Sequence, residues 1–132
     1  MRIVSIAFVA IEADVTDREQ ASGAVEQGVA ELGRLDILVN NAGVMLLGPI
    51  VDAPTEEWDR MVALNLLGLL YCAHAALPHL LAAAEEAPRR VADLVNVSSV
   101  AGRRANAGAR TRQKDVRAGV TALRTSLRSV AA

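Results

Sequence analysis

Short polar stretches follow each of the three strand-like segments of this chain. In an open parallel sheet, ligands bind beyond the carboxyl ends of the strands, and carboxylate, amide and hydroxyl groups placed there hydrogen-bond polar ligands. Each stretch taken alone also fits a simple turn, because Asp, Asn and Ser are common in turns. Their shared position predicts a binding site at one edge of a sheet. The residues concerned are Asp14, Val15, Asn40, Asn41, Ala42, Gly43, Ser98 and Ser99.

Three segments are predicted to be the strands that position these residues. Segments 3–12, 35–39 and 91–97 are apolar and rich in β-branched residues, which is typical of buried parallel strands. Helical patterns separate them, so we expect an α/β fold with about three parallel strands, flanking helices and right-handed crossovers.

The first helical pattern lies between the first two strands. Thr16 and Glu19 have the spacing of a capping box, and Gly33 is a natural stop. The face predicted to be buried comprises Ala21, Val25, Gly28, Val29 and Leu32. A second helix is predicted to begin at Thr55, with acidic residues in its first turn, and to run to about residue 81.

Residues 61–84 form an uncharged stretch of 24 residues, long enough to span a bilayer. Asn65, His74, Pro78 and His79 lie inside it, so a buried central helix is the favoured interpretation. We therefore expect no membrane partner and a cytoplasmic protein.

The composition is uneven along the chain. Residues 1–87 carry 13 acidic against 4 basic residues, and residues 88–132 carry 2 against 10, for a total net charge of −1. A single cysteine excludes an internal disulfide and fits a reducing compartment. His74 and His79 have no second ligand cluster, so no metal site is expected.

Several of these residues match the motifs of one family. Residues 33–43 resemble the Asn-Asn-Ala-Gly segment of the short-chain dehydrogenase/reductases, which have a Rossmann-type fold and use NAD or NADP. Val97-Ser98-Ser99-Val100-Ala101-Gly102 resembles the catalytic-serine segment, and Leu64-Asn65-Leu66-Leu67-Gly68 resembles the helix that carries the catalytic asparagine. The resemblance implies one partial Rossmann-type domain over residues 1–132. Residues 1–103 match well, 104–117 diverge, and 118–132 resemble part of the catalytic helix.

The resemblance implies roles for particular residues. Ser99 would hydrogen-bond the reacting oxygen, and Asn65 would hold a proton-relay water. Asp14 and Val15 would contact the adenine ring. The other residues implied to bind the cofactor are Asn40, Asn41, Ala42 and Gly43. The substrate would be a small alcohol or ketone.

Two motifs of the family are missing from the sequence. Its Tyr-x-x-x-Lys pair, which transfers the proton, is expected near Gln113 and Arg117, yet the single Tyr is Tyr71 and the single Lys is Lys114. The Gly-rich turn that holds the pyrophosphate has no counterpart either. We therefore predict little dinucleotide affinity and no hydride transfer by this chain alone.

An alternative function is a non-catalytic interaction module. In the family, the helix corresponding to residues 61–81 helps to build a dimer interface, so the chain could associate with itself or with a full-length relative. The segment 103–117 is Arg-rich and aperiodic. It is compatible with a local reading-frame disturbance or with a basic tail. Because aromatic residues are not interleaved in it, no nucleic-acid partner is expected.

The resemblance also predicts an open slot in the sheet. In the family, two further strands lie between those that correspond to segments 3–12 and 35–39. We expect segment 3–12 either to pair with segment 35–39 or to leave an exposed apolar edge.

Overall fold

The computed structural model of the chain describes residues 6–46, 53–87 and 90–99. Strands and helices alternate along these residues, as the sequence predicts. The elements are α1 (Arg18–Leu32), β1 (Ile37–Asn40), α2 (Thr55–Val62), a π-helical segment (Ala63–Gly68), α3 (Leu69–Glu85) and β2 (Asp93–Asn96). The predicted start at Thr55 is confirmed, whereas the helix ends at Glu85 rather than near residue 81.

The two strands form a parallel pair. Ile37 faces Asp93 and Asn40 faces Asn96, so the carboxyl ends of both strands lie level with each other. Backbone bonds extend the ladder at both ends, from Asp93 N–H to Asp36 O and from Val97 N–H to Asn40 O, each 2.9 Å. β2 lies at the centre of the predicted segment 91–97, whereas β1 begins two residues after the start of the predicted segment 35–39 and ends one residue beyond it. An incomplete α/β fold of the Rossmann type is therefore confirmed.

The predicted strand 3–12 is not found in its described part. Residues 6–12 pair with no strand in the described ranges, and residues 3–5 lie outside them. Ile6 and Phe8 are 85% and 90% exposed. The strand propensity of the segment is real, but a strand forms only where a neighbouring edge accepts its hydrogen bonds. Of the two expected outcomes, the described residues show the exposed apolar segment.

The capping of α1 differs from the prediction. Asp17, not Thr16, is the N-cap residue, because its carboxylate accepts bonds from the backbone N–H of Glu19 (2.8 Å) and Gln20 (3.0 Å). The hydroxyl of Thr16 instead donates to Asp14 Oδ1 at 2.8 Å. Gly33 ends the helix as predicted, with a φ of 87°.

The face of α1 that packs is narrower than the sequence pattern predicts. Ala21 is fully buried, whereas Leu32 is 50% exposed. Val25, Gly28 and Val29 are half-buried, so the apolar spacing alone overestimates the buried face.

The continuous helix Thr55–Glu85 is the main packing element. By length and composition it could cross a membrane, a test that core helices of soluble proteins also pass. Here α3 packs against α1 and both strands. Its buried residues are Ala73, Ala76, Leu80 and Ala83, spaced by three or four along one face. The expected buried central helix is thus buried along one face.

An ionic clamp holds the beginning of β1 to the end of α3. Arg34 donates two 2.8 Å bonds to the Asp36 carboxylate and one 3.1 Å bond to Glu86. The hydrogen bond to Asp36 raises the pKa of the Arg34 guanidinium above its ordinary value. The clamp fixes the end of the sheet opposite to the polar stretches.

Candidate functional site

Both strands end in an asparagine at the same level of the sheet. Asn40 Nδ2 donates to Asn96 Oδ1 at 2.9 Å, which links the two carboxyl ends through their side chains. Sequence analysis missed Asn96. The signal was present, because each strand contains the tripeptide Leu-Val-Asn, at 38–40 and at 94–96. The parallel register places these two tripeptides side by side.

The loop after β1 is held by a side chain of the π-helical segment. Asn65 Nδ2 donates to Val44 O, and the Val44 N–H donates to Asn65 Oδ1, both at 2.8 Å. The amide thus pairs with the backbone as a neighbouring strand would. A Cβ at Gly43 would lie 3.3 Å from Asn65 Oδ1, so a small residue suits this contact. π-helical turns occur frequently at functional sites.

A second contact continues this attachment. The Leu46 N–H approaches the Met61 sulfur at 3.5 Å, and Met61 is only 2% exposed. The chain from residue 43 to residue 46 is therefore fixed against the helix at two points. Such fixing keeps the residues after β1 in one conformation.

A cavity of about 350 Å³ opens at this edge of the sheet. Its polar wall comes from the strand ends, and its apolar wall comes from methionine, valine and leucine side chains of the loop and the helix. The lining residues are Asn40, Asn41, Ala42, Gly43, Val44, Met45, Met61, Val62, Asn65, Leu69, Val97, Ser98 and Ser99. Six of the eight residues singled out for a site are among them.

The other two, Asp14 and Val15, do not line this cavity. Asp14 Oδ1 accepts bonds from the N–H of Thr16 (2.9 Å) and from its hydroxyl (2.8 Å). These bonds, the backbone one first, lower the pKa of Asp14 below its ordinary value. Val15 packs on the end of the π-helical segment, where a Cβ at Gly68 would lie 3.1 Å from Val15 Cγ2. The positions predicted for Tyr and Lys, Gln113 and Arg117, lie outside the described residues.

The lining of the cavity contains no group that titrates near neutral pH. Its hydroxyl and amide groups can bind and orient a polar ligand, but none of them can accept a proton at pH 7. Tyr71 is absent from the lining, and the Arg18 guanidinium lies 5.0 Å from its ring centre. Burial raises the pKa of the Cys72 thiol, which opposes a nucleophilic role. The described ranges contain no group of three metal ligands.

Comparison with known proteins identifies the relatives of this chain. The family model described as short chain dehydrogenase matches residues 2–111. A CLA biosynthesis dehydrogenase/reductase of Lactiplantibacillus plantarum is 36% identical over 92 residues, covering 70% of this chain and 30% of that protein. A trans-4-hydroxycyclohexanecarboxylate dehydrogenase of Sinomonas cyclohexanicum is 38% identical over 92 residues, covering 70% and 33%.

Solved structures that are similar to this chain include NADP-binding proteins and dehydrogenases. The structure of ElxO with NADP bound has a TM-score of 0.69 and 32% identity, and the match covers 83% of this chain and 42% of that one. The aldohexose dehydrogenase of Thermoplasma acidophilum gives 0.73 and 30%, covering 88% and 43%. The chain thus spans about a third of the length of the curated relatives described above. On the match over residues 2–111, the chain belongs to the short-chain dehydrogenase family of Rossmann-fold oxidoreductases.

Proposed function

We propose that this chain is part of an NAD(P)-dependent oxidoreductase that transfers hydride to or from a small alcohol or carbonyl substrate. The observation that carries the proposal is the double hydrogen bond between Asn65 and Val44, which joins the helix to the loop after β1. Asn65 and the residues after β1 line one cavity, and Ser99, which follows β2, lines the same cavity. Family membership and the NADP-bound structure of ElxO support the cofactor class.

The residues present fit part of such a cofactor. At about 350 Å³ the cavity is at the lower end of the range for ligand pockets, about 300–1,000 Å³. Its uncharged lining, with one polar and one apolar wall, suits a small substrate and the nicotinamide ring of the cofactor. The 132 residues contain no Gly-rich turn for the pyrophosphate. When bound, the nicotinamide supplies or accepts the hydride.

The residues that match the family's motifs then have defined tasks. Ser99 donates a hydrogen bond to the reacting oxygen, where charge develops. Asn65 fixes the loop and holds a relay water. Asn40, Asn41, Ala42 and Gly43, which line the cavity, bind the cofactor, and Asp14 and Val15 contact the adenine ring.

Within the described ranges, the chain has no residue in the cavity that could act as the general acid or base for proton transfer. No lining residue titrates near pH 7, and the sequence has no Tyr-x-x-x-Lys pair. Loss of a general acid or base typically lowers a rate by about 10²–10⁴, and the missing pyrophosphate turn weakens cofactor binding as well. We therefore expect the chain alone to be inactive.

A chimera tests whether the cavity residues within 6–99 support catalysis. Residues 6–99 would replace their counterparts in a full-length relative, which supplies the Gly-rich turn and the Tyr–Lys pair. We expect NAD(P)H-dependent reduction of a carbonyl substrate, and we expect Ser99→Ala to lower kcat about 100-fold or more. Ser98→Ala, in the same cavity, is the control and should change kcat less than about tenfold. A folded chimera that is inactive, or one indifferent to Ser99→Ala, would refute the proposal.

A second candidate is association through the long helix. Its outer face exposes Val62, Leu67, Leu77 and Leu81. Such a face suits a second copy or a full-length relative. Light scattering of the Leu77→Glu variant tests this candidate, since the charge should abolish any association through the helix. For either candidate we propose a cytoplasmic location, with no nucleic-acid or membrane partner.

A further inference from the structure

The carboxyl end of β2 is joined to Asn40 twice, at two consecutive residues. The backbone carbonyl of Asn40 accepts the Val97 N–H at 2.9 Å, and its side-chain Nδ2 donates to Asn96 Oδ1, also at 2.9 Å. Both asparagines are half-buried. Hydrogen bonds gain strength where the surroundings partly exclude water, so these two bonds together fix the last residues of β2 against β1.

The serine segment of the cavity follows this junction directly. The pair of Asn40 with Asn96 is the final pair of the strand register, and Val97 comes next. Ser98 and Ser99 then follow, and both line the cavity, as does Asn40. The position of the Ser99 hydroxyl therefore depends on how firmly the end of β2 is held two to three residues earlier.

Asn96 stands where an apolar residue would continue the face of its strand. Leu38 and Leu94 are half-buried two residues before the two asparagines, and alternate residues of a strand share a face. Asn96 is not among the residues that line the cavity. The chain thus gives up apolar packing at this position for a directed hydrogen bond to a residue that does line it.

We propose that Asn96 is a positioning residue, which acts through Asn40 to hold the end of β2 so that Ser99 meets the reacting oxygen. The inference rests on the proposed function, in which Ser99 donates a hydrogen bond to that oxygen. A displacement of about 1 Å in such a contact can lower a rate about 100-fold. Because Asn96 itself touches neither substrate nor cofactor, its loss lowers kcat more than it changes KM.

Kinetics of the chimera of residues 6–99 with a full-length relative test this role. Asn96→Ala removes the acceptor, and we expect kcat to fall about tenfold or more while KM for the carbonyl substrate changes less than about threefold. Asn96→Asp keeps an acceptor oxygen on a side chain of the same length, so it should restore kcat to within about threefold of the parent. Circular dichroism checks that each variant is folded.

Leu94→Ala is the matched control, because it removes packing from the same face of β2 without touching the junction. It should leave kcat within about threefold of the parent. Equal losses of kcat in Leu94→Ala and Asn96→Ala would show a merely structural role and overturn the inference. Asn40→Ala tests the route: in that background, Asn96→Ala should lower kcat no further, and additive losses would also overturn the inference.

Amide hydrogen exchange of the full chain, followed by NMR, needs no turnover. In Asn96→Ala, the Val97 N–H should exchange at least about tenfold faster than in the parent. The Asp93 N–H donates to Asp36 O at the other end of the ladder, also at 2.9 Å, and its exchange should change less than about threefold. Unchanged exchange at Val97 beside an active parent chimera would overturn the positioning role alone. An inactive, folded parent chimera would refute the proposed function, whatever the exchange rates.

Discussion

The polar edge of the sheet and the segment before α1 behave in opposite ways, although both are strand-like in sequence. At the polar edge, the backbone of Val44 and the side chain of Asn40 find partners on elements that belong to the chain, at 2.8 and 2.9 Å. Residues 6–11 find no strand partner in the described ranges, and their apolar side chains face solvent. The first region is therefore fixed by hydrogen bonds to other elements, whereas the second is not paired with any strand among the described residues.

The same contrast underlies the proposed division of function. The residues that line the cavity are held by β1, β2 and the helix between them, so contacts within residues 40–99 form this part of the site. The groups that would complete it, a pyrophosphate turn and a proton donor, have no counterpart in the sequence.

The contact between Asn65 and Val44 is the most sensitive point of the polar edge. Asn65→Ala removes two hydrogen bonds and leaves two part-buried backbone groups without their partner, at a cost of about 2–3 kcal/mol. Urea unfolding measures the loss. Asn41→Ala, at an exposed residue of the same edge, should cost less than about 0.5 kcal/mol. Equal losses would show that the amide does not hold the loop.

Gly68 lies where the two regions meet. Gly68→Ala brings a Cβ within 3.1 Å of both Val15 Cγ2 and Val15 O, which must push the Asp14–Val15 turn from the helix. We expect the free energy of unfolding to fall by about 1–3 kcal/mol. Gly23→Ala is the matched control, because a Cβ there meets nothing within 4 Å, and it should gain about 0.5–1 kcal/mol. A neutral Gly68→Ala would mean that the turn moves freely.

The ionic clamp at the opposite end of β1 should contribute less to stability than the contacts of Asn65 and Gly68. Arg34→Gln breaks ion pairs that are partly exposed, so we expect the free energy of unfolding to fall less than it does in Asn65→Ala or Gly68→Ala. Thermal unfolding at low and high salt checks this, since screening should reduce the difference between variant and parent. A larger loss that salt does not change would point to packing by the side chain instead.

The segment before α1 should be the least sensitive. Phe8→Ser in dilute solution should change the free energy of unfolding by less than about 0.5 kcal/mol, because the ring is already in water. A loss above about 1 kcal/mol would show that Phe8 packs in the monomer, and the contrast between the two regions would fail.

How much the sequence predicts depends on the range of the interaction. The stop at Gly33, the start at Thr55 and the polar strand ends depend on local patterns and are found as expected. The pairing of Asn65 with Val44 joins residues 21 apart, which no spacing rule indicates. The strand predicted over 3–12 is absent from its described part because pairing needs a neighbour, and propensity cannot supply one.

Competition between neighbouring polar groups explains why the N-cap of α1 is Asp17 rather than the predicted Thr16. Thr16 and Asp17 can each cap α1, and the choice depends on Asp14, whose carboxylate takes the Thr16 hydroxyl. Asp17 is then left to accept the first free N–H groups of the helix. A capping-box pattern does not include that third residue.

We propose that the chain holds the substrate-binding edge of the site but lacks the groups that complete hydride transfer. The direct test is turnover of NADH and NADPH by the purified chain with a panel of ketones. The double variant Gln113→Tyr, Arg117→Lys is run beside it, because it restores the proton-transfer pair without the pyrophosphate turn. We predict no turnover above the blank for either protein; clear turnover by the unmodified chain would contradict the account.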